Sequence, residues 1–142
     1  MDLQKARQLL ASGDYTCVLC HDGTAHTSTR RGVAPLLELI DSGANVAGFS
    51  AADKVVGKAT ALLYCYLGVT AVYAHIISAS AAEVLTQNGI ALEFGTQVPF
   101  IRNRAGTGRC PMEQATETID DPTEALTVIR RTLKALQEEE KP

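Results

Sequence analysis

The 142-residue chain has no tryptophan, and aromatic residues make up only 5% of it. That scarcity argues against a platform on which successive nucleic-acid bases stack. A surplus of positive charge is also missing. Thirteen Lys and Arg stand against sixteen Asp and Glu, a formal net charge of −3, so neither a general nucleic-acid coat nor a nucleic-acid partner is expected. No basic-then-apolar leader with a small-residue cleavage site opens the chain. Residues 1–12 instead read as a short amphipathic helix with Leu3, Ala6, Leu9 and Leu10 on one side. Cys17, Cys20, Cys65 and Cys110 show no small-scaffold disulfide pattern, and a cytoplasmic setting is expected. Internal repeats and low-complexity segments are absent. One stretch does lack charge: residues 59–82 hold no Asp, Glu, Lys or Arg, a length that could span a bilayer. Gly68 interrupts it, Thr60, Thr70, His75, Ser78 and Ser80 are scattered through it, and its periodicity changes from helical to strand-like. It therefore reads as a buried helix-turn-strand, and no membrane partner is expected.

What is present is globular. Hydrophobic residues make up 46% and charged residues 20% of the chain, enough for one domain over 1–142 with a full core. Residues 15–21 alternate, Asp22-Gly23 is a hairpin turn, and 24–29 form the return strand. A helix follows, opened by Pro35 and closed by Gly43. Residues 46–49 read as a short strand. Ser50-Ala51-Ala52-Asp53 reads as a capping box that starts a helix running to about Leu67. Residues 69–77 are nearly all apolar and β-branched, as in a central strand covered on both faces. Ser80-Ala81-Ala82-Glu83 reads as a second capping box, Asn88-Gly89 ends its helix, and 90–94 is a strand, so 69–94 makes a βαβ unit. Residues 97–101 read as one more strand, placed at an edge by Pro99. A helix over 111–119 and a last one capped at Asp121 complete an α/β domain.

The segment with the most chemistry is Ile101 to Glu113. No acidic residue lies between Glu93 and Glu113, while Arg102, Arg104 and Arg109 are present. Gly106-Thr107-Gly108 lets backbone amides turn toward one point, as anion nests do. Cys110 stands before Pro111 at a helix start, with Arg109 beside it, and both features favour the thiolate. Glu113 falls on the third helical position, where it can cap or move a proton. The segment is not a Walker loop, since the Lys-Ser/Thr ending is missing. The second candidate is the helix expected after Ser50. There Asp53 opens the first turn, and Lys54 and Lys58 share a face by i,i+4 spacing, able to attract a phosphate or carboxylate. Capping alone also explains Asp53, and solvation alone explains the lysines. A zinc site of Cys17, His21 and His26 would lack a fourth ligand. His75 reads as a hydrogen-bonded core residue, and Tyr64, Cys65 and Tyr66 as packing.

Two of these segments carry a resemblance. A-A-D-K-V-V-G-K-A at 51–59 and N-R-A-G-T-G-R-C-P-M-E at 103–113 resemble the signature segments of a prokaryotic family, domain of unknown function 1893, over about residues 1–120. The resemblance implies a cytidine-deaminase-like fold: a three-layer α-β-α arrangement with a mixed sheet begun by a hairpin. It does not bring the deaminase chemistry with it. Zinc deaminases carry His-or-Cys-x-Glu and Pro-Cys-x-x-Cys at two sheet-to-helix starts, and the corresponding stretches here, 50–53 and 78–83, hold no such set. The expected function is a metal-free, cofactor-free pocket for a small anionic ligand, nucleotide-derived in one version. Cys110, Asp53 and Glu113 are the candidate catalytic residues. Lys54, Lys58, Arg102, Asn103, Arg104, Gly106, Thr107 and Gly108 are the candidate ligand-binding residues. The alternative is a non-catalytic ligand-binding or protein-interaction module, monomeric or homodimeric. Either reading requires the 101–113 segment to fold back over the Asp53–Lys58 stretch.

Overall fold

Five strands form one mixed sheet in the order β2-β1-β3-β4-β5. The computed structural model describes residues 2–102, 106 and 108–139. In chain order the elements are α1 (Asp2–Ser12), β1 (Cys17–His21), β2 (Thr24–Ser28), α2 (Ala34–Asp41), β3 (Ser50–Val56), α3 (Lys58–Leu67), β4 (Ala71–Ser78), α4 (Ala79–Gln87), β5 (Ala91–Val98), α5 (Pro111–Ala115) and α6 (Pro122–Glu139). The β1–β2 hairpin turns at Asp22 and Gly23, both at positive φ (47° and 86°), as the favoured two-residue turn requires. β1 runs antiparallel to β2 and β3, and β3, β4 and β5 run parallel. The expected βαβ unit is therefore β4-α4-β5.

Helices cover both faces, which gives three layers. On one side α1 lays Ala6 and Leu10 against Val18, Cys20 and Ala52. On the other side a larger core gathers Leu36, Leu62, Leu63, Tyr64, Val72, Ile77, Leu85 and Ile129. Cys17 belongs to this second cluster and Cys20 to the first, because alternate residues of a strand face opposite ways. α3 is buried from Lys58 through Tyr64, since α2, α4 and α6 all pack against it. Its C-terminus is closed by Gly68 in the left-handed region (φ 79°), whose N–H returns to the carbonyls of Tyr64 and Cys65.

Several sequence expectations are corrected. Ser50-Ala51-Ala52-Asp53 is not a capping box but the first half of β3. All four residues are buried and pair with both β1 and β4. The local cap signal gives way because small residues suit a strand enclosed between two neighbours, and tertiary pairing outweighs a cap. Residues 46–49 are consequently a turn rather than a strand, and α3 begins only after Gly57. Lys54 lies on a strand and Lys58 on a helix, so they do not share a helical face. The α4 cap is Ser78, whose hydroxyl accepts from Ala81 N–H at 3.2 Å, rather than Ser80. The strands read at 90–94 and 97–101 merge into β5, and α5 stops at Ala115 rather than 119. α1 reaches only part of the β4 face, leaving Tyr73 half-buried and His75 exposed, so His75 is not a core residue.

Candidate functional site

The C-terminal ends of the parallel strands, where open α/β sheets characteristically bind ligands, lie at Val56, Ser78 and Val98. Two helices start there, α3 after Gly57 and α4 after Ser78. The chain leaving β5 crosses this edge and is pinned to it by Glu113. One carboxylate oxygen, Oε2, accepts the Ile101 N–H at 2.6 Å, and Oε1 accepts the Ser80 hydroxyl at 3.2 Å. The side chain is 2% exposed. A methyl group on Gly57 would lie in van der Waals contact with both, 3.8 Å from this carboxyl and 3.4 Å from Ile101, which places the crossing segment directly against the α3 start. Glu113 thus lies beside Gly57 and Ser80, where α3 and α4 begin.

The rest of the segment is tied at its base. Cys110 N–H donates to the Ile101 carbonyl at 2.8 Å, and Arg102 and Arg109 form an antiparallel bridge. Gly106, at φ 70°, and Gly108 are exposed between them. Asn103, Arg104 and Thr107 lie outside the described residues. Arg102 is exposed. Arg109 pairs with Glu117 at 3.2 Å and reaches over the Phe100 ring. Cys110 is the residue before α5, half-buried against the core edge. α5 is only five residues long, so the helix dipole expected from a 111–119 helix is not available in full. Lys58 also meets this segment, but as a tie. Its ammonium donates to the Glu117 carbonyl at 2.8 Å and to Asp120 at 3.4 Å, with the lysine itself buried.

Asp53 belongs to a different constellation. It is paired in register with Cys17 on β1 and Ala74 on β4, and is 7% exposed. Tyr64, from α3, donates its hydroxyl to Asp53 Oδ2 at 2.6 Å, and Val55 N–H donates to Oδ1 at 3.3 Å. The Cys17 sulfur lies 3.3 Å from the Tyr64 oxygen. Because the tyrosine proton is committed to Asp53, the thiol is the donor in that contact. Among the described residues no cation faces this carboxyl at ion-pair distance. Burial pushes its pKa up to about 7 against the lowering effect of the Tyr64 and backbone hydrogen bonds. Burial, reinforced by the neighbouring Asp53 charge, also raises the Tyr64 hydroxyl and the Cys17 thiol well above their ordinary values. Such a thiol is protonated and inert as a nucleophile.

The convergence expected from sequence is therefore partial. The 101–113 segment does fold over the start of α3, through Glu113, Ile101 and Gly57, with Lys58 attached to the residues just beyond. Asp53 makes no hydrogen bond to that segment among the described residues, and Lys54 is exposed on β3 away from Lys58's bonds. Sequence reasoning took Tyr64 for packing and Ser80 for a cap, and weighed Cys17 only as a member of an incomplete zinc set. The available signal was a tyrosine within an apolar helix, whose hydroxyl needs a buried partner. Two shallow clefts occur elsewhere: one of about 240 Å³ beside Cys17, between the hairpin and α2, and one of about 270 Å³ between α2 and α6. Neither is lined by Lys58, Cys110 or Glu113. The two sheet-to-helix starts are Gly57-Lys58 and Ser78-Ala79-Ser80, without His or Cys. Among the described residues no three His, Cys, Asp or Glu are grouped to hold a metal. Nor is any described helix long and apolar enough to cross a membrane.

Sheet order, layers and the pinned crossing segment define the class: an α/β domain with a five-stranded mixed sheet flanked by helices. The family model of TM1506, domain of unknown function (DUF1893), matches residues 5–133, and the chain belongs to this family. The crystal structure of a DUF1893 family protein (TM1506) from Thermotoga maritima is similar to it, with a TM-score of 0.81 and 27% sequence identity over 94% of this chain and 89% of that one. No curated protein matches.

Proposed function

We propose that this chain is a binding domain for a small anionic ligand, with nucleotide-derived anions as one class, seated where the 101–113 segment crosses the starts of α3 and α4. One observation carries the reading: the buried Glu113 carboxylate rests at that junction, bonded to Ile101 N–H and Ser80 hydroxyl. Because Glu113 itself fills that junction, an incoming anion is drawn by the arginine side chains of the segment it anchors. In this reading Arg102 and Arg109 flank an incoming anion, with Gly106 and Gly108 between them, and Asn103, Arg104 and Thr107 stay candidates from sequence alone. Lys58 fixes the segment from behind, while Lys54 lies on β3. Binding is favoured over catalysis because Glu113 and Asp53 are both engaged with protein partners. The mixed sheet begun by a hairpin, with helices on both faces, supports a deaminase-like ancestry for the scaffold.

The test is thermal denaturation of the full chain with inorganic phosphate and a panel of nucleoside mono- and diphosphates. A stabilisation that saturates and is lost in an Arg102→Ala, Arg109→Ala double variant is expected. No stabilisation by any of them at millimolar concentration would end the proposal. Cys110-dependent catalysis is the second reading, favoured by the half-buried thiol beside Arg109. It predicts turnover that Cys110→Ser abolishes while leaving the thermal shift in place.

A further inference from the structure

We propose that β5 pairs antiparallel with β5 of a second copy of this chain, about a two-fold axis at Gly95, continuing the sheet across both molecules. β5 is terminal in the sheet order, and its paired side faces β4. Among the described residues no other backbone hydrogen bond reaches residues 92–98. An open strand edge is a template for another strand, and single chains blunt it with shortness, charge, proline or a bulge. The opposite edge is blunted in this way: β2 has five residues, Thr-Ala-His-Thr-Ser, and no apolar side chain larger than alanine. β5 is eight residues long, A-L-E-F-G-T-Q-V, with no Lys, Arg or Pro. Its one charge, Glu93, is paired with Arg7 at 2.7 Å. Six of the eight residues are exposed, Phe94 by 46%, and Phe100 just beyond is 37% exposed.

The pattern along β5 matches itself, which is why the occupant is a second copy rather than an unrelated strand. A two-fold axis normal to the sheet keeps each side chain on its own face. With Gly95 on the axis, Phe94 meets Thr96, Glu93 meets Gln97, and Leu92 meets Val98. No like charges oppose each other. The half-buried apolar residues toward the two ends of the strand meet.

Sedimentation equilibrium of the full chain across the micromolar range tests this. The expected result is a species of twice the chain mass that Phe94→Lys converts to monomer. Gln97→Lys should tighten and Gln97→Glu loosen the dimer, each about tenfold, because each change acts at two symmetric pairs opposite Glu93. Both substituted side chains are exposed, and unchanged circular dichroism confirms that the fold is kept. A wild-type chain that stays monomeric throughout would overturn the proposal. So would a dimer indifferent to Phe94→Lys, or two Gln97 variants that shift the affinity the same way.

Discussion

Among the described residues two carboxyl groups are buried, and they are held differently. Asp53 lies mid-strand in the sheet, bonded to a tyrosine hydroxyl and a backbone amide of its own strand, with a thiol behind the tyrosine. Glu113 lies at the sheet's edge and joins residues distant in sequence, Ile101 and Ser80, at the starts of two helices. The first is a charge site without a countercharge, the second a clasp. A buried carboxyl with only neutral partners disfavours its own ionisation. Glu113 instead takes its hydrogen bonds from the loop amide of Ile101 and the Ser80 hydroxyl, and so ties two segments together. The contrast separates a proton-holding group in the core from a segment-holding group at the candidate site.

The largest expected effect is at Asp53. Its folded pKa of about 7 lies above its unfolded value, so the folded chain keeps a proton that the unfolded chain releases. The resulting stability is fully present below about pH 4 and is lost as pH rises through about 7, on the order of 4 kcal/mol in all. Asp53→Asn keeps the acceptor for Tyr64 and removes the titration. Urea unfolding from pH 4 to 8 should show the slope in the wild type and its loss in the variant; equal slopes would contradict the assignment. Next is Glu113→Ala, which leaves the Ile101 amide and the Ser80 hydroxyl without partners and should cost about 2 kcal/mol. Amide exchange should accelerate at Ile101 and Cys110 but not in β3, and faster exchange throughout the sheet would show that Glu113 is no local clasp.

Tyr64→Phe sharpens the comparison from the other side. It removes a donor that favours the carboxylate, so the Asp53 midpoint should move further up from about 7, with a loss of about 1 kcal/mol in stability. Carboxyl-carbon NMR titration reads the shift directly, and a downward move would mean that Tyr64 is not the donor. The smallest effect is expected for Lys58→Met, which deletes the bonds to the Glu117 carbonyl and Asp120 while keeping the buried stem. The expected loss is about 1 kcal/mol, since Asp120 is largely solvated. Chemical denaturation at neutral pH measures it.

Much of the fold was legible from residue pattern. Asp22-Gly23 between alternating runs identified the hairpin, Pro35 and Gly43 bounded α2, and the uncharged 59–82 stretch was recognised as helix, turn and strand. The errors around β3 share one cause. Ser50-Ala51-Ala52-Asp53 carries the letters of a helix cap, but its amides are claimed by two neighbouring strands that are remote in sequence. That one shift moved Asp53 and Lys54 from a helix to a strand and undid the expected lysine pair. At the candidate site, the closeness of the 101–113 segment to the α3 start was expected in outline. The agents were not, because Ser80 and Ile101 meet Glu113 only after β4, α4 and β5 have been laid down.

Local rules, then, were enough for the hairpin turn, the bounds of α2 and the βαβ rhythm. They also marked 101–113 as the stretch with an unusual charge balance. Whether Asp53 caps a helix or lies in a sheet with its ionisation disfavoured by burial was decided only in three dimensions. So was whether Lys58 greets a ligand or fastens a carbonyl. Burial and long-range partners fix the energy of an ionisable group, and neither is encoded in the neighbours it has along the chain.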